Sequence, residues 1–574
     1  MGSLGEHIRA GLWRWLFGFA MLLLTNAATM AIPQLFRLAI DGLRAHETAQ
    51  NLRSIAWTMV AVAVLGAIFR TLSRVHILYA ARDVELGLRA QYYAHLTHLD
   101  EDFYQAYPTG DLMSRATNDL TQVRLMLGPG ILNLVNTAVA YCAAIPLMAA
   151  IDLRLTCIAC VVYPPALYLM RQLGRALYRR NRQQQEALGE LSNVVQENLS
   201  AATVVRAFAI EPEQIRKFSA MNDRYLAANV RLAWIRSGMF RLGMSLASLG
   251  MLAVTFFGAR SVLDNALSMG DIVALLEYMA LLSGPTFALG WVLSMWQRGR
   301  ASLARIDDVL SIKPTIRSGA ESLAPGPRAL TVDAASVHYG ARMALADISF
   351  TLPPGKTLGI VGAIGSGKST LAQALMRLVP LSGGRVLLDG QATETLDLQD
   401  VRRSFAYVPQ NAGLLNKSLA DNVAFGRPDA SRQAIEEVLA LASFTEDIRA
   451  LPQGLDTPVG ERGVTLSGGQ KQRCALARAL LLERPILLLD DSLSAVDTQT
   501  EQRILTALRS HQANRSTIII AHRTTSVEHA DEIIVLDRGR VVERGDHAAL
   551  LQQGGIYADM VRRQSVEEEG EAQP

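Results

Sequence analysis

Gly362-Ala-Ile-Gly365-Ser366-Gly367-Lys368-Ser369 follows the apolar run Thr357-Leu-Gly-Ile-Val361 and leads into Thr370-Leu-Ala-Gln-Ala-Leu. Strand, glycine-rich loop and helix in that order form a phosphate-binding loop in the setting it needs. The glycines let backbone N–H groups turn inward around phosphate oxygens, and the helix N-terminus adds its dipole. In this pattern Lys368 reaches the outer phosphates and Ser369 offers a hydroxyl to Mg²⁺, with Thr370 beside it on the first helical turn. Further on, Ile486-Leu-Leu-Leu-Asp490 reads as a buried strand ending in a carboxylate, the second half of the Mg²⁺ site.

From about residue 331 onward, short Val/Ile/Leu strands alternate with helices, which predicts an α/β domain on a largely parallel sheet. The stretch 311–330 carries Pro314, Gly319, Pro325, Gly326 and Pro327 and reads as a linker. Before it lie six apolar stretches, roughly 12–43, 54–80, 131–151, 155–171, 238–263 and 271–297. They predict an all-α transmembrane domain of six helices, although several fall short of the 20-residue apolar run that a ~30 Å hydrocarbon core asks for. Composition agrees: half of the 574 residues are hydrophobic and 19% are charged, a balance between soluble enzyme and fully embedded protein. The net charge of +3 gives no reason to expect a nucleic-acid partner.

The segments 81–130 and 172–237 are long, helical in pattern and rich in arginine, with Arg171, Arg175, Arg179, Arg180 and Arg182 clustered. The positive-inside rule makes them cytoplasmic, and both termini with them. They read as membrane helices running on into the cytoplasm as continuous rods. The division expected is therefore 1–310 transmembrane, 311–330 linker, 331–562 nucleotide-binding, and 563–574 an acidic disordered tail without a role. Cys157 and Cys160 sit in an apolar run without a second pair or nearby histidines, so they read as small helix residues rather than a metal or redox site.

Between the phosphate loop and Asp490 lies Leu466-Ser467-Gly468-Gly469-Gln470. Loop, L-S-G-G-Q and Asp490, in this order and spacing, resemble the nucleotide-binding domain of ATP-binding cassette (ABC) transporters. The resemblance implies that Tyr339 stacks on adenine and that Gln410 is the Q-loop glutamine, a ligand of Mg²⁺ and, with Asp491 and His522, a catalytic residue. It further makes Glu461-Arg462-Gly463 the X-loop, Asp497 the D-loop aspartate and His522 the switch histidine. In the N-terminal half, Thr109-Gly-Asp-Leu-Met-Ser-Arg115 with Asn118-Asp119, and Val205-Arg-Ala-Phe-Ala-Ile-Glu211, resemble the two cytoplasmic regions of type IV (B-family) exporters. Such a chain is a half-transporter, and two must assemble. Ser467, Gly468, Gly469 and Gln470 then close over the partner's ATP, while the partner's signature closes this chain's site.

One residue departs from the family pattern. A hydrolytic site carries glutamate after the strand aspartate, and here Asp491 stands there. Its carboxylate is drawn back about 1.5 Å, when a general base must reach its proton within about 3 Å. A misplacement near 1 Å can cost ~100-fold in rate. This resembles the degenerate-site subunit of heterodimeric bacterial multidrug exporters of the Mdl and Tmr type. A homodimer in which Asp491 suffices is the alternative.

The resemblance implies ATP-driven export of hydrophobic or amphipathic molecules (drugs, lipids or peptides) across a bacterial inner membrane. A siderophore or small-molecule importer on the same fold, and a homodimeric lipid flippase, remain open. Membrane stretches and basic loops argue against a soluble ABC ATPase acting on DNA or ribosomes. Glu277, midway in the sixth stretch, either lines the cavity and favours cationic cargo or is paired between helices. Asn26, Asn133 and Asn136 read as interhelical hydrogen-bonding groups.

Overall fold

The computed structural model describes residues 2–571 apart from 162, 341, 461–464 and 511–514. The expected X-loop, Glu461-Arg462-Gly463, lies outside the described residues. The chain divides into two compact units, 1–97 with 107–312, and 98–106 with 313–574.

The first unit is helical. Among the described residues, four helices are long and apolar enough to cross a membrane, Leu12–Arg44, Ala49–Leu96, Thr109–Ile151 and Met269–Ser311. The stretch 238–263 forms the end of the helix Glu211–Leu263, where Ser248–Leu263 is apolar but shorter. The stretch 155–171 is shared between Leu153–Val161 and Tyr163–Ser200, and its apolar run is broken by Pro164, Pro165 and Arg171. The helix Glu211–Leu263 has 53 residues without a break. At 1.5 Å per residue that is about 80 Å, more than twice a hydrocarbon core.

Small residues bring these helices together. Ala140, Ala144, Ala159 and Ala274 are buried in a cluster with Met30, Met148, Leu275 and Tyr278, the close-packing chemistry of helices in lipid. Polar groups stitch the seam between Leu12–Arg44 and Met269–Ser311. The Tyr278 hydroxyl donates to the Met30 carbonyl (3.1 Å), and the Gln34 amide donates to the same hydroxyl (3.1 Å). Arg37 pairs with Asp271 at 2.7 Å, and Asp41 accepts from the Ser268 hydroxyl (2.9 Å) and Gly270 N–H (3.1 Å). Asn26 donates to Asn136 across helices at 3.0 Å, whereas Asn133 bonds the Pro129 carbonyl of its own helix. Asp119, on a π turn, accepts from Ser302 (2.9 Å) and from Arg305 Nε (2.8 Å).

The second unit carries two sheets. Strands β1 (Leu330–Tyr339), β2 (Arg342–Leu352), β4 (Gly383–Leu388) and β5 (Gln391–Ala392) form an antiparallel sheet in the order β2-β1-β4-β5. The larger sheet has the order β10-β9-β3-β8-β7-β6, built from β3 (Thr357–Gly362), β6 (Phe405–Val408), β7 (Ile486–Asp490), β8 (Ser516–Ile520), β9 (Glu532–Asp537) and β10 (Arg540–Gly545). All its pairings are parallel except β10 on β9. Alternation explains its burial. Ile486 and Leu488 face one apolar cluster and Leu487 and Leu489 the other, so β7 is covered on both faces and reads as a continuous apolar run.

Segment 98–106, counted with the membrane domain from sequence, clusters with this second unit. One reason is Asp100, whose carboxylate accepts from Thr315 N–H and hydroxyl, both at 2.6 Å. The tail expected to be disordered from 563 is instead helical through Glu571, as part of Ile556–Glu571. Its first turns are anchored: Tyr557 is fully buried, and Met560 and Val561 pack on the core.

The helix seam makes a steric prediction. A Cβ on Gly270 would lie 2.6 Å from the Arg37 carbonyl and 2.7 Å from the Asp41 carboxylate, whereas one on Gly284 meets nothing within 4 Å. Gly270→Ala should therefore destabilise the membrane unit by about 1–3 kcal/mol, read as a lower melting temperature in detergent. Gly284→Ala should melt with the wild type.

Candidate ATP site

Four neighbouring parallel strands deliver the site. β3 runs into Gly362, β8 ends two residues before His522, β7 ends at Asp490, and β6 ends two residues before Gln410. Parallel order puts all four carboxyl ends at one edge, where open α/β sheets bind ligands.

At that edge Gly362 (φ +155°), Gly365 (+82°) and Gly367 (+102°) hold backbone angles that a side chain would resist. A Cβ on Gly362 would strike the Leu536 carbonyl, and one on Gly367 would lie 2.7 Å from the Ala344 carbonyl. Lys368 is 6% exposed, and its ammonium donates to the Gly362 (2.7 Å) and Ala363 (3.0 Å) carbonyls. The Ser366 hydroxyl is buried and, among the described residues, has no hydrogen-bond partner. Glycine cradle, buried cation and unpartnered hydroxyl together fit a polyphosphate.

The Ser369 hydroxyl donates to Asp490 Oδ1 at 3.1 Å, and Asp490 is 2% exposed. Two hard oxygen donors so placed fit Mg²⁺. Burial pushes the Asp490 carboxyl above its usual range, against hydrogen bonds from Ser369 and Tyr407. Burial lowers Lys368, with Asp491 and Asp490 opposing. His522 is lowered first by burial and then by the Lys368 charge, against Asp491 and Asp490.

Gln410 donates to Asp491 Oδ2 at 3.1 Å. Asp491 has a left-handed backbone (φ +48°) and its N–H bonds the Ile520 carbonyl at 2.8 Å. Tyr339, 37% exposed, ends β1.

The structure does not bring the signature to these residues. Ser467 caps the helix Gly468–Leu480 in a reciprocal box with Gln470. Among the described residues no hydrogen bond joins 467–470 to the phosphate loop. Asp497 caps the helix Thr498–Ser510, accepting from Thr500 N–H at 2.9 Å. Glu277 is half-buried and, among the described residues, forms no ion pair.

Residues 15–286 match the ABC transporter transmembrane region and residues 345–494 the ABC transporter family model. The multidrug resistance-like ATP-binding protein MdlA of Escherichia coli is 37% identical over 98% of this chain and 96% of its own length. The chain belongs to the ABC transporters. It has the half-transporter plan of the exporter type, one helical transmembrane domain followed by one α/β ATPase domain. An ATP-dependent lipid A-core flippase of Chromobacterium violaceum is 32% identical over 96% of the transporter chain and 94% of its own. A bacterial Atm1-family ABC exporter solved with ATP bound superposes with a TM-score of 0.79 at 29% identity, covering 96% of this chain and 98% of that one.

Several site residues escaped the sequence reading. Tyr407 donates its hydroxyl to Asp490 Oδ2 at 3.3 Å; its only signal was its place in the strand before Gln410. Gln472 bridges the signature helix to the segment after Asp491, donating to Ser494 (3.2 Å) and accepting from Ala495 N–H (2.9 Å). Glu501 and Arg523, 3.3 Å apart, join that segment's helix to the switch loop.

The raised Asp490 gives a signed prediction. A carboxyl raised on folding favours the fold at low pH, and that contribution is lost as pH rises through the raised value. Asp490→Asn should thus melt higher than wild type at pH 7 without nucleotide, with the gain fading below about pH 4. ATP should then raise the melting temperature of both, and adding Mg²⁺ should raise that of the wild type further than that of Asp490→Asn.

Proposed function

We propose that this transporter is the regulatory half of a heterodimeric exporter, and that its own site holds ATP while hydrolysing it slowly. The observation that carries the reading is Asp491. It is a methylene shorter than the glutamate of a hydrolytic site, its backbone is fixed to Ile520, and its carboxylate is engaged by Gln410. Lys368, Ser366 and the three glycines cradle the phosphates, Thr370 supports the first turn, and Tyr339 stacks on adenine. Ser369 and Asp490, with Gln410 nearby, would hold Mg²⁺, which supplies charge neutralisation to the phosphates. Asp491 and His522 are the groups facing the reacting phosphate. Binding and turnover separate at Asp491.

Partner assembly is supported by the self-capped signature, which among the described residues makes no hydrogen bond to the phosphate loop, and by exposed apolar residues in the second cytoplasmic region. Phe208 is 74% and Val204 52% exposed, an apolar surface that a second half-transporter would cover. Ser467 and Gly468 then complete the partner's site, which hydrolyses. The names of the relatives, multidrug resistance-like protein and lipid A-core flippase, favour hydrophobic or amphipathic cargo. Lipid is the second reading of that cargo, on the flippase similarity. The basic cytoplasmic segments support an inner-membrane protein with both termini and the ATPase domain inside. Glu277, half-buried and without an ion pair among the described residues, is offered to the cavity.

ATPase activity of the purified chain, alone and with a half-transporter carrying glutamate at the position of Asp491, tests this. The chain alone should be weak and the pair strong. Asp491→Glu should raise turnover of the chain's own site by about tenfold or more. Brisk hydrolysis by the wild-type chain alone sinks the proposal.

A further inference from the structure

The helix Ile556–Glu571 reaches the switch loop with one side chain. Gln564 accepts at Oε1 from the Thr524 N–H and from the Thr524 hydroxyl, both at 2.8 Å. Its Nε2 donates to the His522 carbonyl, also at 2.8 Å. Both ends of one amide are thus spent on two residues that flank Arg523. Arg523 is held from the other side, by Glu501 at 3.3 Å and by the Val496 carbonyl at 3.4 Å. Ser526 donates to the same Glu501, which is 3% exposed. The five residues 522–526 are therefore gripped between the C-terminal helix and the helix Thr498–Ser510.

The register of Gln564 is fixed by anchors two turns earlier. The Glu543 carboxylate accepts the N–H groups of Ile556 and Tyr557, the second at 3.0 Å, and so caps the helix start. Tyr557 is wholly buried and its hydroxyl meets His547 Nδ1 at 2.8 Å. Seven residues on, about 10 Å along the axis, Gln564 has little freedom to leave the loop.

We propose that Gln564 is a positioning residue for His522: the C-terminal helix sets where the switch imidazole stands at the nucleotide edge. The inference rests on the reading of His522 as a nucleotide-facing group. A methionine at 564 has nearly the same length and none of the three hydrogen bonds. Losing them frees the backbone of 522 and 524, and small misplacements of such a group cost rate rather than binding.

The test uses the purified full-length chain, with the faster of wild type and Asp491→Glu as parent. Gln564→Met should lower kcat by about tenfold while KM for ATP stays within about twofold. His522→Ala should lower kcat as well, and the double variant should be no slower than His522→Ala alone. Unchanged kcat, or losses that multiply, would overturn the proposal. Amide exchange needs no turnover: in Gln564→Met the Thr524 N–H should exchange at least about tenfold faster, with Ile518 and Ile519 in β8 unchanged. Faster exchange throughout β8 would mark a general loss of structure and also overturn it. If Asp491→Glu fails to speed the chain, the regulatory-half reading falls, yet the ratio of Gln564→Met to its parent still decides this inference.

Discussion

Strands β3, β8, β7 and β6 run in one direction, and everything chemical in the ATPase domain follows from that shared direction. Each strand is apolar on both faces, so each needs a sheet covered on both sides. Each must then release its polar residues at its carboxyl end. The result is one edge holding Gly362 to Ser369, His522, Asp490 with Asp491, and Gln410. The edge is costly in the absence of ligand: burial disfavours the charge on both Lys368 and Asp490. Nucleotide and metal would relieve that cost, and the relief favours their binding there.

The same sheet joins the site to what surrounds it. Gln472 ties the signature helix to the segment after Asp491, Glu501 and Arg523 tie that segment to the switch loop, and Gln564 ties the loop to the C-terminal helix. A chain of paired side chains thus runs from the signature helix, past the nucleotide edge, to the C-terminal helix. In the membrane unit the corresponding constraint is small-residue packing between long rods, with polar pairs such as Asn26–Asn136 and Arg37–Asp271 setting register.

The edge of the sheet was readable in part because some of its residues are local signals: the glycines of 362–367 and the carboxylate ending 486–490. The helical rods were readable from apolar periodicity and arginine-rich continuations. What was hidden is what depends on distant pairing. Tyr407, Gln472, Glu501 and Arg523 carry no motif by themselves and gain meaning only when strand order brings them together. The acidic end was misread for the same reason. Its composition suggests disorder, while Tyr557, Met560 and Val561, a few residues earlier, bury enough apolar surface to hold the helix through Gln564.

The central claim is that holding ATP and hydrolysing it come apart at Asp491. Labelled ATP with Mg²⁺, bound to the assembled transporter and acid-quenched over time, tests it most directly when the nucleotide crosslinked to this chain is separated as ATP or ADP. The account predicts that this chain still carries ATP after several turnovers of the partner site. ADP appearing on both chains at the same rate would contradict it.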